Sequence, residues 1–385
     1  MPTVSYFLAS IRHPIDDKHL LWNQPLPTSR YGSAAAERCA PEDENLSYAN
    51  YFSAVTRFCA ESGWKRVLLA AADRLEKPLA VDDLGPVSIF LEKHGAFYHP
   101  ARIEVTAAGQ RLCLVANVAV SRLGKEALFR ETEALAHLNE HRPFGWLPTV
   151  YAVTDENPPM FLGDWFDGFH EFHLTREKEI GEPRLVIWDG AVPPRLLSEK
   201  QAAALYRTMA MILTACYDPV TTCQIFPWHH AAGDFVVRIK GEKVSAKLIT
   251  VRNYASLTNA SGPEDENGLL ETVLLFFLHL SVRIRLDRLD GVSEVVWAPD
   301  SCLAPTIDGF FQGLDLTARL SGFPETFPRI FKRFAELWRY GDLLPMARQV
   351  VETVFDGHSE ERLVIESNLT NHVAAASRLL AGRPA

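Results

Sequence analysis

The sequence lacks the short motifs that mark several common enzyme classes. It contains no GxxxxGK followed by Ser or Thr, no GxSxG, no HExxH and no GxGxxG. Each of these strings places a backbone or a side chain where its chemistry needs it, so their absence argues against P-loop, serine-hydrolase, zincin and Rossmann chemistry. The six cysteines form no CxxC pair. We therefore expect no zinc ribbon or thioredoxin-type site, and thiols that stay reduced.

Long hydrophobic runs are also absent. The longest apolar stretch, residues 269–282, has 14 residues and contains Glu271 and His279. A membrane span needs about 20 apolar residues, so this stretch predicts a buried helix and no membrane partner. At the amino terminus, Arg12 and His13 interrupt the apolar run before a signal peptide could form. These patterns predict a cytoplasmic protein.

A surplus of positive charge is missing as well. The chain has 39 basic and 48 acidic residues, a net charge of −9, so we expect no nucleic-acid partner. Hydrophobic residues make up 47% and charged residues 23%, which is typical of globular proteins. A length of 385 residues predicts two domains, or one two-lobed domain with an extension.

The order of local patterns predicts an α+β fold in three parts. Residues 1–85 are interpreted as an N-terminal extension with a helix that begins near Ser47 and stops at Gly63. Residues 86–168 alternate in the way of strands, and predict a five-stranded antiparallel sheet with one inserted helix over 123–141. Residues 169–385 predict a helical part with one hairpin, whose strands lie within 224–239 and 243–251.

Several strings within 87–300 resemble, in order and spacing, the protein-kinase-like fold in the branch of aminoglycoside phosphotransferases and choline kinases. RETEALAHL (130–138) resembles the helix of the small lobe that carries an ion-pairing glutamate, and MFLGDWFDGFHEF (160–172) resembles the last strand and hinge. PWHHAAGDFVV (227–237) resembles the catalytic loop, and KLITVRN (247–253) resembles the metal-binding segment. The resemblance implies two lobes, with a site in the cleft between them.

The resemblance also implies roles for particular residues. In this family ATP donates the phosphoryl group. The transfer needs alignment and charge neutralisation, and magnesium contributes to both. His229 takes the position of the catalytic aspartate, and Asp234 takes the position of a metal ligand. The same comparison gives nucleotide-binding positions to four residues: Gly95, Asn117, Glu131 and Thr250.

The charged positions of this family are poorly kept in the sequence. Thr250 stands where a second magnesium-binding aspartate is expected, and Ala116 or Asn117 stands where the phosphate-binding lysine is expected. A second register, with Ala232-Gly233-Asp234 as the catalytic core, would make Asp234 the base. Without the lysine, Glu131 is also open to interpretation as an exposed charge on an amphipathic helix.

Three functions remain open from the sequence. The first is a phosphotransferase-related protein in which Asp234 holds a divalent metal and His229 orients the hydroxyl of an unknown small-molecule or protein acceptor. The second is a non-catalytic, pseudokinase-type binding or scaffold module. The third is a metal-dependent hydrolase that uses the His229–His230 pair. The basic cluster Arg283, Arg285 and Arg288 is interpreted as a solvated, salt-bridged helix end.

Overall fold

The structure is a computed structural model, and it describes residues 2–9, 11, 13–27, 46–95, 97–176, 181–190, 193–229, 233–257, 263 and 265–382. Its described residues form an α+β fold, as the sequence predicts. Two compact units are present. Unit 1 comprises Met1–His137 and Pro148–Asp167, and unit 2 comprises Leu138–Leu147 and Gly168–Ala385.

A six-stranded sheet organises unit 1. Its strands are β1 (Val4–Leu8), β2 (Leu84–Leu91), β3 (Tyr98–Ala107), β4 (Gln110–Ala119), β5 (Val150–Thr154) and β6 (Met160–Asp164). They lie in the order β1-β2-β3-β4-β6-β5. The five predicted strands are present and pair antiparallel, but β1 adds a sixth strand that runs parallel to β2. The expectation of a five-stranded sheet is therefore wrong by one strand, because β1 from the amino-terminal segment adds an edge strand beside β2.

Unit 1 contains α1 (Tyr48–Leu75) and most of α2 (Arg122–His141). Ser47 caps α1, since its hydroxyl accepts a hydrogen bond from the main-chain N–H of Asn50. The predicted stop near Gly63 is a break at Glu61–Trp64, where the backbone leaves helical geometry before the helix resumes. Buried side chains of α1 and of one face of the sheet belong to one hydrophobic core: examples are Tyr51, Val55, Ile89, Ile103 and Ala116.

Unit 2 contains the larger number of helices. They are α3 (Glu199–Ala215), α4 (Glu266–Arg283), α5 (Leu303–Leu320), α6 (Phe327–Leu337), α7 (Tyr340–Val354) and α8 (Glu360–Ala381). The α3 helix begins with a capping box of Ser198 and Gln201. Helices α3 and α5 approach so closely that a Cβ atom on Gly309 would lie 2.0 Å from the carbonyl oxygen of Arg207. Glycine is therefore required at this crossing.

Short strands complete unit 2. Strands β7 (Glu171–Arg176), β8 (Pro183–Trp188) and β9 (Arg195–Leu196) form a three-stranded sheet that the sequence did not predict. Strands β10 (Cys223–Ile225) and β13 (Tyr254–Ser256) pair with each other, and β11 (Phe235–Lys240) and β12 (Lys243–Leu248) form the predicted hairpin. A last pair, β14 (Leu286–Arg288) and β15 (Val295–Trp297), follows α4.

The interpretation of the basic cluster after α4 is wrong for two of its three residues. Arg283 is 4% exposed and Arg285 is 2% exposed, whereas Arg288 is exposed as expected. Helix α4, which contains the predicted buried helix of residues 269–282, ends at Arg283, and β14 begins at Leu286. Among the helices of the described residues, none is long and apolar enough to cross a membrane.

Candidate functional site

The segment that resembles a catalytic loop connects β10 to β11 in unit 2. Trp228 anchors it, since its side chain is buried. The main-chain N–H of Ile249 donates to the carbonyl oxygen of Asp234 at 2.7 Å, so the residues after β12 lie beside the end of the loop. His230 and Ala232, which belong to the sequence hypotheses above, lie outside the described residues.

Asp234 is a buried carboxylate with three hydrogen-bond donors. Arg252 donates to both of its oxygens, Nη1 to Oδ2 and Nη2 to Oδ1, each at 2.5 Å. The main-chain N–H of His229 donates to Oδ2 at 2.8 Å. Only 1% of Asp234 is exposed. A two-pronged arginine–carboxylate pair is among the strongest side-chain interactions, and burial strengthens it further.

Arg283 holds the other side of the loop. Its Nε donates to the carbonyl oxygen of Trp228 at 3.0 Å, and its Nη1 donates to Oε2 of Glu361 at 2.8 Å. Its Nη2 lies 2.6 Å from Nε2 of His229. The same Nη2 lies 3.1 Å from Nδ1 of His229, and Nδ1 lies 3.3 Å from Oε1 of Glu361. Because a guanidinium has only donors, the ring nitrogen that it engages must accept.

The four charged groups balance one another. Arg252 and Arg283 carry two positive charges, and Asp234 and Glu361 carry two negative charges. Burial lowers the pKa of the Arg283 guanidinium, and the adjacent Glu361 carboxylate opposes that shift. We call these four residues with His229 the loop network. Its charges are satisfied within the protein, so it has no surplus charge with which to neutralise a phosphate.

Thr250 stands in the segment between β12 and Arg252. It is half-buried, and its neighbour Val251 is fully buried. A threonine hydroxyl is a weak metal ligand and brings no negative charge. The structure therefore brings His229 and Asp234 into one network, with Thr250 close to it along the chain.

The other predicted site residues belong to unit 1. Asn117 is on β4, paired with Pro100 of β3 and Phe161 of β6. It points away from the core face that holds Ala116, so the position of the expected lysine is occupied by a buried methyl group and a half-buried amide. Glu131, on α2, is 1% exposed, so its interpretation as an exposed charge is wrong.

Gly95 lies in the loop before β3, where the resemblance placed a phosphate-covering loop. A Cβ atom at Gly95 would lie 2.6 Å from the carbonyl oxygen of Tyr98. At Gly124, in the first turn of α2, a Cβ atom would lie 2.0 Å from the carbonyl oxygen of Phe97. Both glycines are explained by close packing of this loop, which leaves the role of Gly95 in binding as a prediction.

No cluster of three or more His, Cys, Asp or Glu side chains suited to a metal ion occurs in the part of the chain that the structure describes. Asp234 is the predicted metal ligand, but Arg252 engages both of its oxygens. A cation at Asp234 would have to displace that guanidinium.

Sequence reasoning missed the three residues that surround the predicted loop. Arg252 is 18 positions after Asp234, Arg283 is 54 after His229, and Glu361 is 78 after Arg283. One signal pointed to Arg252: an aspartate next to the apolar run Phe235–Val237 needs a buried partner. No comparable signal in the sequence linked Glu361 to this loop.

Comparisons with known proteins find little that resembles the chain. No protein-family model matches it, and no curated protein matches it. A solved structure from Haemophilus somnus 129PT, which carries the provisional name fructosamine-3-kinase, covers 80% of this chain and 97% of its own at 10% identity, with a TM-score of 0.24.

Proposed function

We propose that this chain is a kinase-like protein, related to the small-molecule phosphotransferases, that acts as a non-catalytic binding module. One observation carries the proposal. The aspartate at the predicted metal position is buried and bound through both oxygens to Arg252. In this proposal, the loop network replaces catalytic machinery with a fixed set of ion pairs.

The residues present do not fit a magnesium–nucleotide site. Magnesium demands near-ideal octahedral oxygen coordination and is usually held by one or two carboxylates together with phosphates. Asp234 is engaged by an arginine, and Thr250 supplies no charge. The strand position expected to carry a lysine holds Ala116 and Asn117. Each of these features argues against a magnesium–nucleotide site, and they come from separate segments of the chain.

The second candidate is the phosphotransferase itself, with a non-standard site. The observation that favours it is the adjacency of His229 and Asp234, joined by a main-chain hydrogen bond of 2.8 Å. In that case, the His229 ring would have to leave Arg283 to reach an acceptor hydroxyl. Asp234 would have to leave Arg252 to reach a metal.

Thermal unfolding with ATP and MgCl₂, together and separately, distinguishes the two candidates. A ligand at about 100 times its Kd stabilises the folded state by about 2.7 kcal/mol, which shifts Tm by about 5–10 °C for a unit of this size. The proposal predicts no shift that requires both ATP and magnesium. A shift that requires both, and that Asp234→Asn abolishes, would establish the phosphotransferase candidate instead.

Two controls accompany this experiment. Asp342→Asn removes an exposed carboxylate of the same unit, on α7, and should leave every nucleotide response unchanged. Stabilisation by ATP that needs no magnesium and survives Asp234→Asn would agree with a binding module. Near-UV circular dichroism of Asp234→Asn establishes that the variant is folded before its response is compared.

A further inference from the structure

A cavity of about 100 Å³ lies in unit 2, outside the loop network. Its inner wall comes from the segment between α3 and β10, from β10 and from α4, and its rim comes from α7. Its lining includes Tyr217, Gln224, Phe276, His279, Gln349 and Thr353. An apolar cavity of about 150 Å³ accepts benzene, so a single aromatic ring that extends past the rim has the right size for this one.

The inner wall of the cavity is aromatic and the rim is polar. The rings of Tyr217 and Phe276 stack with their centroids 4.1 Å apart and their planes 7° from parallel. Both residues are buried. Gln349 and Thr353 are one helical turn apart on α7, and both are exposed. This is the common composition of a small-molecule site, with an apolar interior and a few placed polar groups.

A buried polar pair supplies the specific contact. Nδ1 of His279 lies 2.8 Å from Oε1 of Gln224, and the two residues are 3% and 7% exposed. The imidazole donates to this oxygen, which turns the amide so that its nitrogen keeps two N–H donors for the cavity. Nε2 of His279 is buried and has no hydrogen-bond partner among the described residues.

The charge of the surroundings selects a neutral occupant. Among the lining residues that the structure describes, none is Asp, Glu, Lys or Arg. Burial, with Arg283 one turn further along α4 as a smaller cause, lowers the pKa of His279 to about 3, so its ring stays neutral near pH 7. A cation would lose its hydration and meet no carboxylate among the described lining residues. An anion would lose its hydration and meet only neutral donors.

We propose that this cavity binds a small neutral aromatic compound carrying an amide or hydroxyl group, which stacks against Phe276 and hydrogen-bonds the amide of Gln224. The proposed site contains none of the residues of the loop network, so it does not depend on the kinase-like interpretation. Nucleotide experiments and aromatic-ligand experiments therefore succeed or fail separately.

A charge series of equal size tests the proposal on the full chain. Benzamide, benzoate and benzamidine have almost the same shape but are neutral, negative and positive. Ligand-observed saturation-transfer NMR titrations should give saturable benzamide binding with a Kd of about 1 mM or tighter, which is a reasonable affinity for a fragment. Benzoate and benzamidine should bind at least about tenfold more weakly.

Variants locate the binding. Thr353→Trp places a large ring at the exposed rim and should weaken benzamide at least about tenfold, because it blocks the opening. Glu352→Trp adds the same ring at the adjacent exposed position, which does not line the cavity, and should leave the affinity unchanged. Gln224→Leu should weaken benzamide by about five- to tenfold through loss of a single hydrogen bond.

Three results would overturn the proposal. They are the absence of saturable benzamide binding, equal binding of all three compounds, and benzamide binding that Thr353→Trp leaves unchanged. Because Thr353 is exposed, its substitution leaves the core intact. A lost signal in that variant, with the Glu352→Trp signal retained, therefore reports the cavity and not unfolding.

Discussion

Two arginines at the end of α4 stand two residues apart in the chain and are buried in different surroundings. Arg283 donates to the carbonyl oxygen of Trp228, to the ring of His229 and to Glu361. Arg285 donates to the carbonyl oxygen of Ala298 through both Nε and Nη2, and its guanidinium lies 4.7 Å from the centroid of Trp297.

The partners show what each arginine does. Arg285 joins α4 to the segment after β15 and to His372 of α8, so it fastens secondary structure elements together. Its carboxylate partner Asp300 is 76% exposed. Arg283 instead fixes an irregular loop, and its carboxylate partner Glu361 is only 23% exposed. Arg285 therefore joins elements of regular secondary structure, whereas Arg283 holds the irregular loop that carries Trp228 and His229.

The largest expected effect is that of Arg285→Ala. The variant leaves the carbonyl oxygen of Ala298 without its donors and leaves a void beside Trp297. Loss of one partner from a buried polar network of this kind costs about 3–5 kcal/mol. Urea unfolding of the full chain measures it. Arg288→Ala, at an exposed position, should change the free energy of unfolding by less than about 0.5 kcal/mol. Equal costs for the two variants would mean that burial of Arg285 is not what matters.

The next effect is a loss of stability in acid from His279 and His372. Burial is the main cause that lowers the pKa of each to about 3. An unfolded histidine titrates near ~6.5. Between these values the unfolded chain binds the proton and the folded chain does not, so stability is complete above about pH 6.5 and falls as the pH decreases toward 3. At pH 5 the loss is about 2 kcal/mol for each residue.

Urea unfolding at a series of pH values measures this loss, and single variants assign it. His372→Gln should flatten the decrease between pH 6.5 and pH 5 by about half, because one of the two histidines no longer titrates. His358→Gln is the matched control at an exposed position and should leave the slope as it is. A wild-type chain whose stability is constant from pH 7 to pH 5 would contradict the account of both buried histidines.

The smallest effect compares the two carboxylate partners. Glu361→Gln should cost about 1–2 kcal/mol, because it weakens a charge-assisted hydrogen bond to the buried Arg283. The cost is limited because Glu361 itself is 23% exposed to water. Asp300→Asn should cost less than about 0.5 kcal/mol, since the Asp300 carboxylate is 76% exposed and water screens its charge. Hydrogen exchange should quicken near Trp228 in the first variant only. Unchanged exchange there in Glu361→Gln would remove the distinction between the two arginines.

The sequence predicts the elements whose pattern is local. Strands β2 to β6, helix α2 and the hairpin of β11 and β12 follow from alternation, helical spacing and turn residues within each segment. Strand β1 could not be predicted in this way. Its five residues pair with Val87–Leu91, about eighty positions away, and only that pairing makes them a strand.

The residues of the candidate site divide in the same way, into those that a local motif indicates and those that only the folded chain brings together. The motif resemblance brought His229 and Asp234 to notice, and the structure places them in one network. Their charged partners come from three other segments of unit 2. Charges at the end of a helix usually face solvent, and neither the burial of Arg283 nor its contact with Glu361 has a local signature. Which buried charges pair with each other depends on the packing of distant segments, so local sequence patterns do not predict it.

A double-mutant cycle on Asp234 and Arg252 tests the central claim, that the predicted metal ligand is a structural half of an ion pair. Asp234→Asn, Arg252→Gln and the double variant are compared with the original chain by urea unfolding. The account predicts a coupling energy of about 2 kcal/mol or more, as for close, desolvated charge pairs. Effects that add within about 0.5 kcal/mol would show that the two side chains act independently, which would contradict the account.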